Sequence, residues 1–126
     1  MVHGGLSRAR ESGWLRRWAH FVAWTLGRRM RVRVRGTSMA PALPDGSFVL
    51  VDPRAYRSRL PEPGDVVLAR HPYVRDLCLV KRVAEVARQG RVALVGDCAE
   101  ASTDSRDFGA VGLDHVLGRV VLRLSP

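Results

Sequence analysis

Arg31-Val32-Arg33-Val34-Arg35 alternates charged and apolar side chains with a period of two, as a strand with one buried face does. Gly36-Thr37-Ser38-Met39-Ala40-Pro41-Ala42-Leu43-Pro44 then breaks the pattern, because its prolines exclude a regular element, and Asp45-Gly46 signals a turn. Ser47-Phe48-Val49-Leu50-Val51-Asp52 resumes it. Downstream, Val66 to Arg70, Leu77 to Val83, Arg91 to Val95 and Val116 to Leu124 are further short apolar runs separated by Gly and Pro turns. No convincing helical period follows residue 30. The expected fold is all-β, a small curled sheet or barrel.

Upstream the pattern differs. Met1 to Ser12 is rich in Gly, Arg and Ser and reads as disordered. Trp14, Trp18, Phe21, Val22 and Thr25 recur at helical spacing before Gly27. A helix from Trp14 to Leu26 would be about 20 Å long, short of the roughly 30 Å of a bilayer core, and it carries Arg16, Arg17 and His20. Residues 1–29 are thus expected to form a basic arm, partly helical or disordered, and residues 30–126 the folded domain. A helix with three tryptophans can lie on a membrane surface through residues 14–29, dock on an acidic partner or pack on the domain. Met30, where the folded pattern begins, is an alternative start of translation.

The chain has 126 residues, enough for one core, and a formal net charge of +9. That excess belongs to the arm: residues 1–35 hold nine Arg and one acid, whereas the remainder is nearly neutral. Cys78 and Cys98 are too few for a disulfide framework and are expected as free thiols. The four histidines lack metal-ligand spacing, so no metal or cofactor is expected.

Among 21 basic residues, Lys81 is the lone lysine. A solvated positive charge can be either residue, but a group that must lose its proton near neutral pH cannot be arginine. A genome rich in Arg codons could leave one lysine by chance; its neighbours argue otherwise. Leu77-Cys78-Leu79-Val80-Lys81-Arg82-Val83 has strand length and puts the amine in or beside an apolar layer, where desolvation lowers its pKa from about 10.4. A neutral buried amine is a general base. Ser38, between Gly36 and Pro41, is the serine in the most constrained local setting and the candidate nucleophile.

Four ordered blocks, Gly36 to Leu43, Pro63-Gly64-Asp65-Val66-Val67, Leu79-Val80-Lys81-Arg82-Val83, and Gly96-Asp97-Cys98 with Ser102 to Arg106 and Gly109, resemble the type I signal peptidase superfamily. The resemblance covers about Val34 to Arg123 and implies the small β catalytic fold of signal peptidases and LexA-like proteins, with a serine endopeptidase activity. It implies Ser38 as nucleophile, Lys81 as general base, Ser102 as the hydroxyl orienting the amine, and Asp104 with Arg106 as an ion pair fixing that loop. It further implies the Ser38 backbone N–H as oxyanion donor, and Met39 and Pro41 at the substrate. Gly36 stands where some relatives have an oxyanion-hole serine, Ala42 where Thr is common, and Cys98 where Asn is common.

The compact chain, with Arg70-His71-Pro72 and Asp104 to Gly109, is most similar to a bacterial sub-family that matures nickel superoxide dismutase by removing its N-terminal leader. The implied partner is that precursor and the implied location cytoplasmic, with peripheral membrane contact as an alternative. The leader is expected to bind extended beside Arg31 to Arg35 or Ser47 to Asp52. Three rivals remain. One is a membrane-associated type I signal peptidase cleaving secretory signal peptides; another is a LexA-type self-cleaving repressor, which would need a DNA-binding domain. The third is a basic nucleic-acid-binding module without protease activity, although no aromatic stacking platform accompanies the strands and specific nucleic-acid binding is not expected.

Overall fold

The computed structural model describes residues 17, 19, 20 and 27–124. Six strands form one antiparallel sheet: β1 (Met30–Arg33), β2 (Phe48–Asp52), β3 (Val66–Arg70), β4 (Cys78–Val86), β5 (Val92–Val95) and β6 (Val116–Leu124). Their order is β1-β2-β6-β3-β4-β5, an open sheet with β1 and β5 at its edges. The expected all-β class and its six strands are found, with boundaries shifted by up to three residues.

Register shifts at Leu50/Val51, Leu68/Ala69 and Val83/Glu85 mark bulges, and each adds local bend and twist. The curled sheet buries both its faces. Val67 and Leu68 are neighbours on β3 and point to opposite sides, and both are buried. Leu68 joins Val34, Met39, Leu43, Val49 and Val51 in one core cluster. Val67 joins Ala69, Val83, Val92, Leu94 and Val111 in the other. Burial on both faces explains why β2 and β3 read as continuous apolar runs, whereas edge strand β1 alternates. In β1, Val32 turns inward while Arg31 and Arg33 lie over the Phe48 ring, 4.7 and 5.9 Å from its centroid.

One expectation is corrected. β2 pairs with β1 on one side and β6 on the other, so Ser47 to Asp52 offers no edge to a substrate strand. As expected, little helix follows residue 30: the described residues hold one α-helical turn, α1 (Ser105–Phe108), and two 3-10 turns, Ala99–Ala101 and Leu113–His115. Asp104 caps α1, accepting from Arg106 N–H, and the Asp107 side chain accepts from Asp104 N–H in return. Of the expected arm, Arg17, Ala19 and His20 are helical; the remainder of the expected 14–26 helix lies outside the described residues. Among the described residues no helix is long and apolar enough to cross a membrane.

Candidate active site

The Ser38 loop is held from both ends. Val34 N–H donates to Ser47 O (2.8 Å), Gly46 N–H returns to Val34 O (2.7 Å), and Gly36 N–H donates to Asp45 Oδ1 (2.9 Å). Gly36 has φ 82°, a left-handed conformation that any side chain would strain, which gives a backbone reason for glycine where a serine was the alternative. Inside the loop, Ala40 N–H donates to Thr37 O and Leu43 N–H to Met39 O. Met39 and Leu43 drive into the first core cluster, and Ser38, just before Met39, is half-buried. Met39 was expected to touch substrate; it has 0% exposure, so its side chain anchors the loop from below, whereas Pro41 is exposed.

β4 carries Lys81 into the sheet, where the residue is 3% exposed. Burial lowers the pKa of its amine below the usual 10.5, and the Arg106 cation acts in the same direction, while Asp104 and Asp107 oppose them. Lys81 Nζ lies 2.9 Å from Ser102 Oγ, and Ser102 Oγ lies 2.6 Å from Asp104 Oδ2. A hydroxyl has one proton. An ionised carboxylate can only accept, so Ser102 gives that proton to Asp104 and accepts an N–H from Lys81. The lone pair of a neutral Lys81 is thereby aimed away from Ser102.

Asp104 is fully buried and heavily solvated by the protein itself. It accepts from Gly96 N–H (2.8 Å), Ser102 Oγ, Arg106 N–H (3.0 Å) and the Arg106 guanidinium, with Nε at 2.9 Å. Burial alone would raise its pKa; the hydrogen bonds from Arg106, Ser102 and Gly96 outweigh that and hold it well below the usual carboxylate range. The expected Asp104–Arg106 ion pair is present.

Gly96 joins the two halves. A Cβ there would fall 2.3 Å from Ser102 Oγ and 2.7 Å from Ser38 O, so the serine loop and the lysine-holding loop meet across a bare Cα. The next contact, Cys98 N–H to Ser38 O at 2.8 Å, fastens the Ser38 backbone to the same segment. Ser38 N–H and Oγ make no hydrogen bond to the described residues. Cys78 and Cys98 are both free thiols. Gly96→Ala is expected to push these loops apart and to lower the thermal midpoint by several degrees, which a circular dichroism melt checks.

Two parts of this arrangement were not read from the sequence. Arg82 grips Asp97 through two hydrogen bonds, at 2.8 and 2.9 Å, and donates to Gly64 O, tying three of the four blocks together. The His71 ring meets Phe108 of α1 edge-on at 4.9 Å, joining the β3–β4 loop to the Asp104 segment. An Arg beside the lysine and an Asp after Gly96 were the available signals for the first; the second has none at sequence level.

A profile of the signal peptidase, peptidase S26, family matches residues 19–89, which include Ser38 and Lys81. Mitochondrial ATP-independent inner membrane protease subunit 1b of Arabidopsis thaliana is 31% identical over 113 residues, covering 72% of this chain and 67% of that protein. Subunit 1a from the same plant is 31% identical over 115 residues, covering 74% and 68%. The match over more than half of the chain, on an open β-sheet of the kind described, means that the chain belongs to the signal peptidase S26 family and is a peptidase of that type.

Proposed function

We propose that this chain is a serine endopeptidase using Ser38 as nucleophile and Lys81 as general base to remove an N-terminal leader. The observation that carries the reading is the buried lysine amine held through Ser102 to an ionised Asp104. Lys81 Nζ takes the Ser38 proton as Oγ attacks the scissile carbonyl carbon, and the Ser38 N–H donates to the developing oxyanion. Collapse of the tetrahedral intermediate breaks the C–N bond, and Lys81 returns its proton to the leaving amine. The resulting ester is hydrolysed by a water that Lys81 deprotonates in turn. Ser102, Asp104 and Arg106 act as positioning residues.

Sheet topology supports an extended substrate. β4 pairs with β3 along Cys78–Arg82, but with β5 only from Arg82 onward, so Cys78 to Lys81 keep an edge with no strand partner among the described residues. A substrate strand added there leads its carbonyl to Lys81. The outer edge of β5 is occupied: Val92 exchanges backbone hydrogen bonds with Val111, and Leu94 N–H donates to Ser105 Oγ.

The substrate we favour is the nickel superoxide dismutase precursor, on the sub-family resemblance of Arg70-His71-Pro72 and Asp104 to Gly109. Intact mass of that precursor co-expressed with this chain is expected to fall by a defined leader, and to stay whole with Ser38→Ala. A precursor intact in both removes this substrate. The inner-membrane proteases among the relatives favour a second reading, a precursor at a membrane. Under it, full-length protein floats with lipid vesicles and loses that behaviour when residues 1–29 are removed.

A further inference from the structure

The β3–β4 connection is built as a rigid tip with apolar side chains facing out. His71 N–H donates to Leu77 O at 2.8 Å, closing the loop, and His71 Nδ1 accepts from Tyr73 N–H and Val74 N–H, both at 3.0 Å. The same ring packs on Phe108, so the tip has a fixed place relative to the Asp104 segment. Despite this order, Tyr73 is 78% exposed, and Val74 and Leu77 are exposed beside it. A groove of about 670 Å³ runs along the tip, lined in part by Tyr73, Val74, Cys78, His115 and Leu117.

Charge in that groove is balanced, with Arg70 and Arg75 against Asp76 and Asp114, and Arg70 already donates to Asp114 O. Within this mixed lining, Tyr73 and Val74, with Leu77 beside them, form an exposed apolar patch that carries no net charge. It is also continuous with the open edge of β4. Lys81 lies four positions after Leu77, about 13 Å of extended chain.

Resting on the protease reading above, we infer that the tip is a specificity site for the substrate arm that pairs with Cys78 to Val80. Tyr73, Val74 and Leu77 receive an uncharged apolar side chain about four to six residues from the scissile bond. The tip thus selects which extended segments reach Ser38, at a distance from the bond that is cut.

The test uses the full chain, a randomised synthetic peptide library and mass spectrometry of the cleavage products. Wild type, Ser38→Ala and a Tyr73→Ser/Val74→Ser/Leu77→Ser variant are compared; the substituted residues are exposed, so the variant keeps the fold. Wild type is expected to enrich apolar residues about four to six positions from the bond on one side. The triple variant loses that enrichment and about tenfold in kcat/KM on peptides that carry it, with unchanged rates on peptides that do not. Ser38-dependent cleavage without this preference, or with the preference intact in the variant, overturns the inference alone. Cleavage indistinguishable from Ser38→Ala overturns the protease reading and the inference with it. If phosphatidylglycerol vesicle binding falls in the variant while the preference persists, the tip is a lipid contact and the inference is wrong.

Discussion

Lys81→Arg is expected to lower cleavage by about a thousandfold or more, to the background of Ser38→Ala. Both side chains carry a positive charge in water, so the substitution separates charge from basicity. The mechanism needs a nitrogen that can exist without its proton, and a guanidinium cannot supply one. Burial that lowers the Lys81 amine below 10.5 makes the neutral form accessible; in arginine the same burial only destabilises the fold. Because arginine is also larger than the space Lys81 fills, Lys81→Met is the companion variant. It keeps the volume, removes the nitrogen and is expected to be equally inactive, with a thermal midpoint close to that of wild type. Retained activity in either variant, in a protein that melts like wild type, would remove Lys81 from the base role.

Asp104→Ala costs about 3 kcal/mol of stability, read as a thermal midpoint lower by about 10 °C, together with loss of cleavage. The carboxylate is fully buried and serves four groups: the Gly96 N–H, the Ser102 hydroxyl, and the backbone and side chain of Arg106. Its removal leaves the Gly96 donor buried without a partner, and α1 loses its cap. Arg106→Ala has a smaller effect, because its side chain is about half exposed and water replaces the lost contact. The acid limb of stability gives the same information with a definite sign. Asp104 has a folded pKa below its ordinary value of 3.8, so its contribution is fully present above 3.8 and is lost as pH falls toward the depressed value. In Asp104→Asn that part of the acid dependence disappears.

Local pattern made much of this legible. The β3 and β6 boundaries read from apolar runs are those observed, because both strands end at chemically abrupt positions. β4 runs on to Val86, past the expected end at Val83; Ala84-Glu85 breaks the apolar run while backbone pairing with β5 continues across the bulge. α1 was missed because its box uses Asp107 rather than Glu or Gln at the third position. Strand order was not readable either, since setting β6 between β2 and β3 depends on pairings far apart in sequence.

Lys81 stood out because every other basic residue is arginine, and its burial follows from the run around it. The Ser102 and Asp104 positions came with the family resemblance. A hydroxyl two residues from a carboxylate is common in loops, and only the fold shows that they meet each other and the lysine. Gly96 carries no signal of its own: that its Cα lies between Ser38 and Ser102 is a property of the closed structure.

The proposed base role of Lys81 rests on a lowered amine pKa. Since it is the chain's single lysine, ¹³C-lysine labelling gives one side-chain Cε signal, whose shift can be followed against pH. The predicted result is a titration midpoint below 10.5 that coincides with the rising limb of kcat/KM, because activity appears as the amine loses its proton. A midpoint at or above 10.5, or a rate limb that does not follow the lysine signal, would contradict it.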